Sequence, residues 1–265
     1  MGHRFICGCK DKSIFFYLET LYLLFLKNPI FVFNYSLVMN TWSLFLRSYP
    51  KNIKFYILLL TGLTSTLFFS KFMIWNETRP GLRIDDPLLS LITPIDLSLA
   101  TGLLTDLPII LGLVMITKKP SNTIYFLFSI IGICCFRAMT LYFFVLEPPV
   151  DIIPLKDPIL ESVFYGGSVL LKDLFFSGHT ANLILVGLLI EQIWLKKFLL
   201  FCAFAVGSML IIQHVHYSID VFAAPFFAVV IYKISIYLGN KMILHDMSEG
   251  KRPNTLMYGL GFKNV

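Results

Sequence analysis

The sequence predicts an all-α, polytopic membrane protein with six transmembrane helices. Composition, the spacing of apolar runs and the distribution of Lys and Arg all point there. Of 265 residues, 57% are hydrophobic and only 14% are charged, with a mean hydropathy of +0.76. A soluble domain of this size carries far more charge. Six apolar stretches fall near 53–75, 95–117, 122–146, 178–195, 198–215 and 217–239, and a span needs about 20 apolar residues. The fourth and fifth are short for that purpose.

The charges orient the spans. Arg47, Lys51 and Lys54 precede the first, Lys118 and Lys119 join the second to the third, Lys196 and Lys197 join the fourth to the fifth, and Lys241, Lys251 and Arg252 follow the sixth. All four groups fall on one side, which the positive-inside rule makes cytoplasmic together with both termini. The opposite side carries Asp85, Asp86, Glu147, Asp151, Asp157, Glu161 and Asp173 against Arg79, Arg83, Lys156 and Lys172. The formal net charge of +6 is therefore read as loop charge, not as a nucleic-acid surface. The expected organisation is an amino-terminal segment 1–50, a membrane catalytic domain 51–240 and a cytoplasmic tail 241–265.

The first segment is apolar but interrupted by Glu19, Lys27, Asn28, Pro29 and Asn34. It reads as an interfacial hairpin or a re-entrant piece; a start at Met39 is a third reading. Cys7 and Cys9 could bind metal or take a lipid, but no cluster of His and Cys surrounds them, His3 being the one such residue nearby. Cys134, Cys135 and Cys202 lie in apolar runs and read as packing residues. No disulfide framework is expected.

Against this apolar background one polar constellation stands out. Ser177-Gly178-His179-Thr180 opens the fourth span, and His216-Tyr217-Ser218-Ile219-Asp220 opens the sixth. Ionisable residues are costly in a bilayer and mark functional positions. His216 and Asp220 are four apart, so they share a helix face. A carboxylate there accepts a hydrogen bond from one imidazole nitrogen and fixes the tautomer, which leaves the other nitrogen to attack phosphorus or accept a proton. The start of a helix at Gly178-His179 offers free N–H groups to a phosphate. A second imidazole, His179, would protonate a departing oxygen. Other readings stay open: a structural His/Asp pair, a zinc site from His179, His214, His216 and Asp220, or a serine hydrolase. The last lacks a G-x-S-x-G elbow, and Ser177 suits a helix cap.

These segments resemble the third and fourth motifs of the sphingomyelin synthase family, within the type 2 phosphatidic acid phosphatase (PAP2) superfamily. Its third motif resembles C-G-D-x-x-x-S-G-H-T, with Asp173 on the aspartate. Its fourth resembles H-x-H-Y-[ST]-x-D-V, matched from His214 to Val221. A further family segment is similar to Arg137-Ala138-Met139-Thr140-Leu141-Tyr142 through Pro148-Pro149. The likeness runs over roughly residues 76–240. It implies a six-helix bundle with its site on the extracytoplasmic side, acting on phospholipid and lipid-alcohol substrates without cofactor or metal. His216 would be the phosphorus nucleophile, Asp220 its orienting carboxylate and His179 the acid and base. Arg137 would balance phosphate charge, with pairing to Asp96 or Asp106 as the structural alternative. Asp173, Ser177, Gly178, Thr180, His214 and Tyr217 would line the substrate, although Tyr217 also suits an interfacial aromatic belt. Lys172 suits a side chain snorkelling to the interface.

Two departures leave head group and acceptor open. Leu171-Lys172 replace the motif Cys-Gly. The phosphatase pattern K-x6-R-P is only approached by Lys71 and Arg79-Pro80, and Met209-Leu210 stand where Ser-Arg would be. The compact length resembles bacterial members. A lipid phosphatase, with water as acceptor, and a non-catalytic lipid-binding or transport protein are the alternatives. The cluster Arg79-Pro80-Gly81, Asp85-Asp86-Pro87, Pro94 and Asp96 reads either as a turn closing over the site or as a solvated loop.

Overall fold

The computed structural model describes residues 41–43, 45–46, 53–156 and 169–249, with side chains to 242. Most of the amino-terminal segment, Cys7 and Cys9, Asp157 and Glu161, and residues 250–265 of the tail lie outside the described residues. Within them the protein is helical, and the one strand-like contact is an isolated bridge between Leu82 and Leu146. The helices are α1 (Ile53–Glu77), α2 (Ser98–Ile116), α3 (Pro120–Phe143), α4 (Gly178–Leu189), α5 (Ile193–Ile212) and α6 (Ser218–Glu249). A single 3-10 turn, Leu89–Leu91, lies between α1 and α2.

Five of these, all but α4, are long and apolar enough to cross a membrane. Their outward surfaces are apolar: Leu60, Leu67 and Phe68 on α1, Phe201 and Phe204 on α5 and Phe222 on α6 are all more than 60% exposed. A bundle that shows such side chains outward is suited to lipid rather than water. These features make it an integral, multi-pass membrane protein.

The fourth expected span differs. α4 has 12 residues, about 18 Å at 1.5 Å per residue, well short of a hydrocarbon core of about 30 Å. Nine of its residues are buried, and it packs against α2, α3, α5 and α6. A mostly buried helix walled in by neighbours need not reach both interfaces. The connection to α5 is 190–192, not the Lys196-Lys197 pair, which sits inside α5. The polar pair Glu191-Gln192 sets that break. Glu191 accepts from Lys119 Nζ at 2.6 Å and from Asn122 Nδ2 at 3.4 Å. At the same end Trp42 Nε1 donates to the Thr117 carbonyl (2.8 Å) and Tyr125 to Asn240 (2.6 Å). α6 continues to Glu249, past the expected boundary at 240. Of the span cysteines, Cys134 and Cys202 are buried and Cys135 is exposed, so Cys135 is not a packing residue.

The loops 78–97, 144–156 and 213–217 gather at the other end of the bundle. They share a small apolar core of Leu89, Leu146, Leu174, Ile211 and Tyr217. Buried Gln213 knots them: its Nε2 donates to Ser98 Oγ (2.9 Å) and the Ile153 carbonyl (3.0 Å), and its Oε1 accepts from Leu97 N (3.0 Å). Asp96 caps the start of α2 through Ser98 N and Oγ.

Asp86 fastens the first of these loops to α6. Its Oδ2 accepts from Ser218 N at 2.7 Å and its Oδ1 from Leu88 N at 2.9 Å. The start of a helix leaves N–H groups unpaired, and Asp86 satisfies one from a distant point in the chain. Burial by itself would raise the Asp86 carboxyl, but the hydrogen bonds from Ser218, Leu88 and Leu89 together hold it below the usual carboxylate range. A depressed carboxyl stabilises the fold above its unfolded pKa, about 3.9, and that contribution fades as pH falls through the lower folded value. Asp86→Ala is expected to cost about 1 kcal/mol, the usual worth of such a cap. It should also flatten the loss of stability below about pH 4, as read by thermal melts of the detergent-solubilised protein at stepped pH. An unchanged acid limb would show that Asp86 does not anchor the loop.

Candidate active site

α4 begins where Ser177 turns the chain. Ser177 Oγ accepts from Thr180 N at 3.5 Å, and its hydroxyl donates to Thr180 Oγ1 at 3.1 Å. Ser177 is thus a helix cap, which accounts for it without nucleophilic chemistry. The segment before it is held by Thr140 Oγ1 donating to the Phe175 carbonyl (2.9 Å) and by Phe176 stacking on Phe227 of α6 at 4.3 Å.

Ser177 N donates to the Asp220 carbonyl at 3.0 Å, which ties the first turn of α4 to that of α6. α5 closes against both. A Cβ at Gly207 would lie 2.7 Å from Val221 Cγ1 and 3.4 Å from Thr180 Oγ1, so only glycine permits this approach. The two motifs, 37 residues apart in sequence from His179 to His216, are brought together by this packing.

His216 and Asp220 meet as the helical spacing predicts. His216 Nδ1 lies 3.3 Å from Asp220 Oδ2, with side chains 2% and 0% exposed. Asp220 Oδ2 also accepts from Tyr217 N at 3.1 Å, which fixes the carboxylate. With Nδ1 facing the carboxylate, Nε2 is the nitrogen left for chemistry.

Arg137, buried near the end of α3, pairs with Asp173. It does not pair with Asp96, which is engaged at the start of α2. The guanidinium lies 5.5 Å from the Phe69 ring and against Gly178, where a Cβ would overlap it. Its Nε has no hydrogen-bond partner among the described residues. Arg137, Asp173, Gly178, His179 and Asn182 line one cavity of about 310 Å³, with Asp106 from α2 and the aromatic rings of Phe69 and Phe126. A guanidinium, a helix amino terminus and an imidazole facing one cavity are a set suited to a phosphate.

His214 and Tyr217 face a different cavity, of about 490 Å³, together with Arg83, Asp85, Asp86 and Asp151. Tyr217 is 1% exposed, and its hydroxyl donates to the Glu147 carbonyl (2.9 Å) and accepts from Ile84 N (3.4 Å). It is a core residue rather than a member of an interfacial belt, because buried phenols need partners. His214 caps α5. Its φ is 58°, its N–H reaches the Ile211 carbonyl (3.0 Å), and Val215 N reaches that of Leu210 (2.9 Å). That is a Schellman ending, where glycine is the usual residue. A side chain there costs about 1–2 kcal/mol.

The sequence pattern missed a bracket beside the site. Glu77 accepts from Leu171 N (3.1 Å) and Lys172 N (3.0 Å). Lys172 Nζ reaches Glu147 Oε1 (2.8 Å) and the Arg79 carbonyl (2.7 Å), so it points inward rather than snorkelling. Arg79 sits 4.9 Å from both the Trp75 and Tyr142 rings and donates to the Leu141 and Tyr142 carbonyls. Lys172 and Gly81 N hold the Glu147 carboxyl below its ordinary range. Asn76-Glu77 at the end of an apolar run, followed by Arg79, was the available signal. The bracket positions Asp173, the next residue after Lys172.

Among the described residues, no group of three or more His, Cys, Asp or Glu side chains is arranged to hold a metal ion. The zinc reading of His179, His214, His216 and Asp220 therefore has no geometry behind it in this fold.

No curated protein matches the chain. Residues 172–237, about a quarter of its length, match the family described as PAP2 superfamily C-terminal. The matched stretch runs from Lys172 through α4 and α5 into α6, and so contains Asp173, both histidine motifs and Asp220. The chain is similar to that family over this stretch, which carries the Asp173, His179, His216 and Asp220 positions.

Proposed function

We propose that the protein is a lipid phosphotransferase that moves a phospho-head group from a glycerophospholipid to a lipid alcohol such as ceramide, through a phosphohistidine on His216. The observation that carries the reading is the buried His216–Asp220 contact, tied through Ser177 N to the helix start that bears His179.

In the first half-reaction His216 Nε2 attacks phosphorus in line, and the bond from phosphorus to the glyceride oxygen breaks. His179 gives its proton to that oxygen, and diacylglycerol leaves. Asp220 accepts the Nδ1 hydrogen bond and balances the charge that develops on the ring. The free Nε of Arg137 and the N–H groups at Gly178 and His179 face the phosphoryl oxygens. In the second half, His179 takes the proton of the acceptor hydroxyl. The acceptor oxygen forms a bond to phosphorus, and the phosphorus–nitrogen bond returns its electrons to His216. Lys118, Lys119, Lys196 and Lys197 at the opposite end favour an extracytoplasmic site and cytoplasmic termini.

A lipid phosphate phosphatase shares the first half and takes water as acceptor. It stands as the second reading because the family match over residues 172–237 does not distinguish water from a lipid alcohol as acceptor. Labelled phosphatidylcholine, phosphatidylethanolamine and phosphatidic acid, each with and without ceramide, separate the two. A new phospholipid formed only with ceramide is expected. Free phosphate from phosphatidic acid, indifferent to ceramide, would replace the transferase with the phosphatase. No product from any donor would leave a lipid-binding protein.

The role of His179 has its own readout. His179→Ala is expected to slow turnover by about 10²- to 10⁴-fold with diacylglycerol as leaving group. The loss in the first half-reaction, read as the burst of released nitrophenol, should be far smaller with a nitrophenyl phosphodiester, whose departing oxygen needs no proton. Equal losses with both leaving groups would remove His179 from acid catalysis.

A further inference from the structure

Asp106 is a carboxylate at membrane depth that the phosphoryl-transfer steps above do not use. It lies eight residues past the start of α2 at Ser98, about 12 Å along the axis at 1.5 Å per residue. It is the one charged residue of that helix. An ionisable side chain inside a span is costly, and it is kept where it faces a cavity or an opposite charge.

Two independent observations bring it to His179. The first is register. α2 and α4 pack against each other, and both run away from the loop end of the bundle, so they are parallel. They come closest at Gly112, where a Cβ would overlap Val186. The rise per residue is the same on both helices. Seven residues back from each contact point the shared level is therefore Thr105 on α2 and His179 on α4, and Asp106 is the next residue. The second observation is the cavity of about 310 Å³. Thr105, Asp106 and Ile109 line it from α2, and His179, Asn182 and Val186 line it from α4. The carboxylate and the imidazole thus face one space, from adjacent helices, at one depth.

Charge decides the pairing. The other ionisable side chains of the cavity are Cys134 and Arg137 on α3 and Asp173 on the segment before α4. Arg137 is taken by Asp173, and a thiol carries no positive charge. The α1 wall offers only Thr66, Phe69 and Ser70. On the α6 side, His216 is engaged by Asp220. Among the described residues, His179 is the group left to offset Asp106, and Asp106 is the group left to offset His179 when its ring holds a proton.

We propose that Asp106 is the positioning carboxylate of His179. It holds one ring nitrogen and balances the charge of the protonated imidazole, so the other nitrogen meets the departing oxygen with a proton to give. Once that proton is on the diacylglycerol oxygen, the ring is neutral and takes the next one from the acceptor hydroxyl. The carboxylate stays ionised throughout. The site then holds two imidazole–carboxylate pairs, His216 with Asp220 for phosphorus and His179 with Asp106 for protons. Asp220 sits on the helix of its own histidine, whereas Asp106 comes from another helix, so no spacing rule in the sequence links it to His179.

The inference rests on the phosphotransferase reading for the role of His179, but one arm of its test needs no turnover. Diethyl pyrocarbonate acylates only an unprotonated imidazole nitrogen. The full chain in detergent is treated at about pH 6.5, near the ordinary histidine value, and the modified peptides are quantified by mass spectrometry. His179 is expected to react about fivefold faster in Asp106→Asn than in wild type, because a neighbouring carboxylate favours the charged ring. His216 should react at its wild-type rate. Asparagine keeps the shape of the side chain and removes a charge from a span, so the variant should melt no lower than wild type.

The other arm is the first turnover without acceptor. Asp106→Asn should slow release of diacylglycerol from phosphatidylcholine by about tenfold to a hundredfold, a part of what the acid itself contributes. The nitrophenol burst from a nitrophenyl phosphodiester should be nearly unchanged. In His179→Ala the same substitution should cost nothing more, and Asp106→Glu, which keeps the charge, should recover part of the loss. Unchanged reactivity of His179 in Asp106→Asn would overturn the pairing. So would equal losses with both leaving groups, or losses that add to those of His179→Ala. A His179 that responds to Asp106, in a protein that turns over no lipid, would keep the pair and remove the transferase. Lipid transfer whose leaving-group dependence ignores Asp106 would keep the transferase and remove the pair.

Discussion

Replacing His216 by glutamine is expected to abolish turnover, by on the order of 10⁶-fold, while the protein keeps its melting temperature within a few degrees. Glutamine conserves most of the volume of a side chain that is 2% exposed and offers Asp220 an N–H donor. Alanine should stop turnover as completely but also cost stability, because it opens a cavity and strips a partner from a buried carboxylate. Asp220→Asn should cost less, about 10⁴-fold. An amide still holds the Tyr217 N–H that the carboxylate now accepts at 3.1 Å, but it no longer balances charge on the ring. The covalent step has a direct signature. Wild-type protein quenched with a phosphorus-labelled donor should carry acid-labile label, and His216→Gln none. In His179→Ala, a donor with a good leaving group should load His216 and then stall, because the acceptor alcohol loses its base. Label that persists in His216→Gln, or turnover within tenfold of wild type, would rule out the phosphohistidine route.

Much of this arrangement was legible in the sequence because it is local. His216 and Asp220 are one helical turn apart, and Ser177-Gly178 announces a helix start. Five spans fell within a few residues of their observed limits at most boundaries, since 20-residue apolar runs leave little choice in a bilayer. What escaped was set by contacts between distant segments. The end of α4 could not be read from hydropathy, because 183–190 is an unbroken apolar run that stops only where Glu191 finds Lys119 across 72 positions. The partner of Arg137 was sought on the spans, at Asp96 or Asp106, and came from the loop residue Asp173. Tyr217 looked interfacial by type and is buried because Glu147 and Ile84 supply its hydrogen bonds. Asp86, 132 residues from the amide it caps, leaves no periodic trace at all.

The Arg137–Asp173 pair carries the other large expected effect, and it separates a structural role from a chemical one. Arg137→Leu alone is expected to unfold much of the protein, because Asp173, with a side chain 19% exposed, keeps its charge and loses its cation. Breaking a buried pair from one side costs about 3–5 kcal/mol. Replacing both partners, Arg137→Leu with Asp173→Leu, should recover most of that stability, since apolar substitutes for a buried pair are often neutral or better. Activity should not return: loss of one preorganised donor to a phosphoryl oxygen is worth about 10²- to 10³-fold. Arg137→Lys keeps the charge and should still lose activity, because an ammonium cannot copy the planar fork of donors. Gly178→Ala reaches the same guanidinium from the other side. Its methyl would occupy the space the guanidinium now fills, so a helix-favouring substitution at the first position of α4 should inactivate without unfolding. Activity regained in the stable double variant, or an active Gly178→Ala, would assign the pair to holding α3 against the 173–177 segment and nothing more.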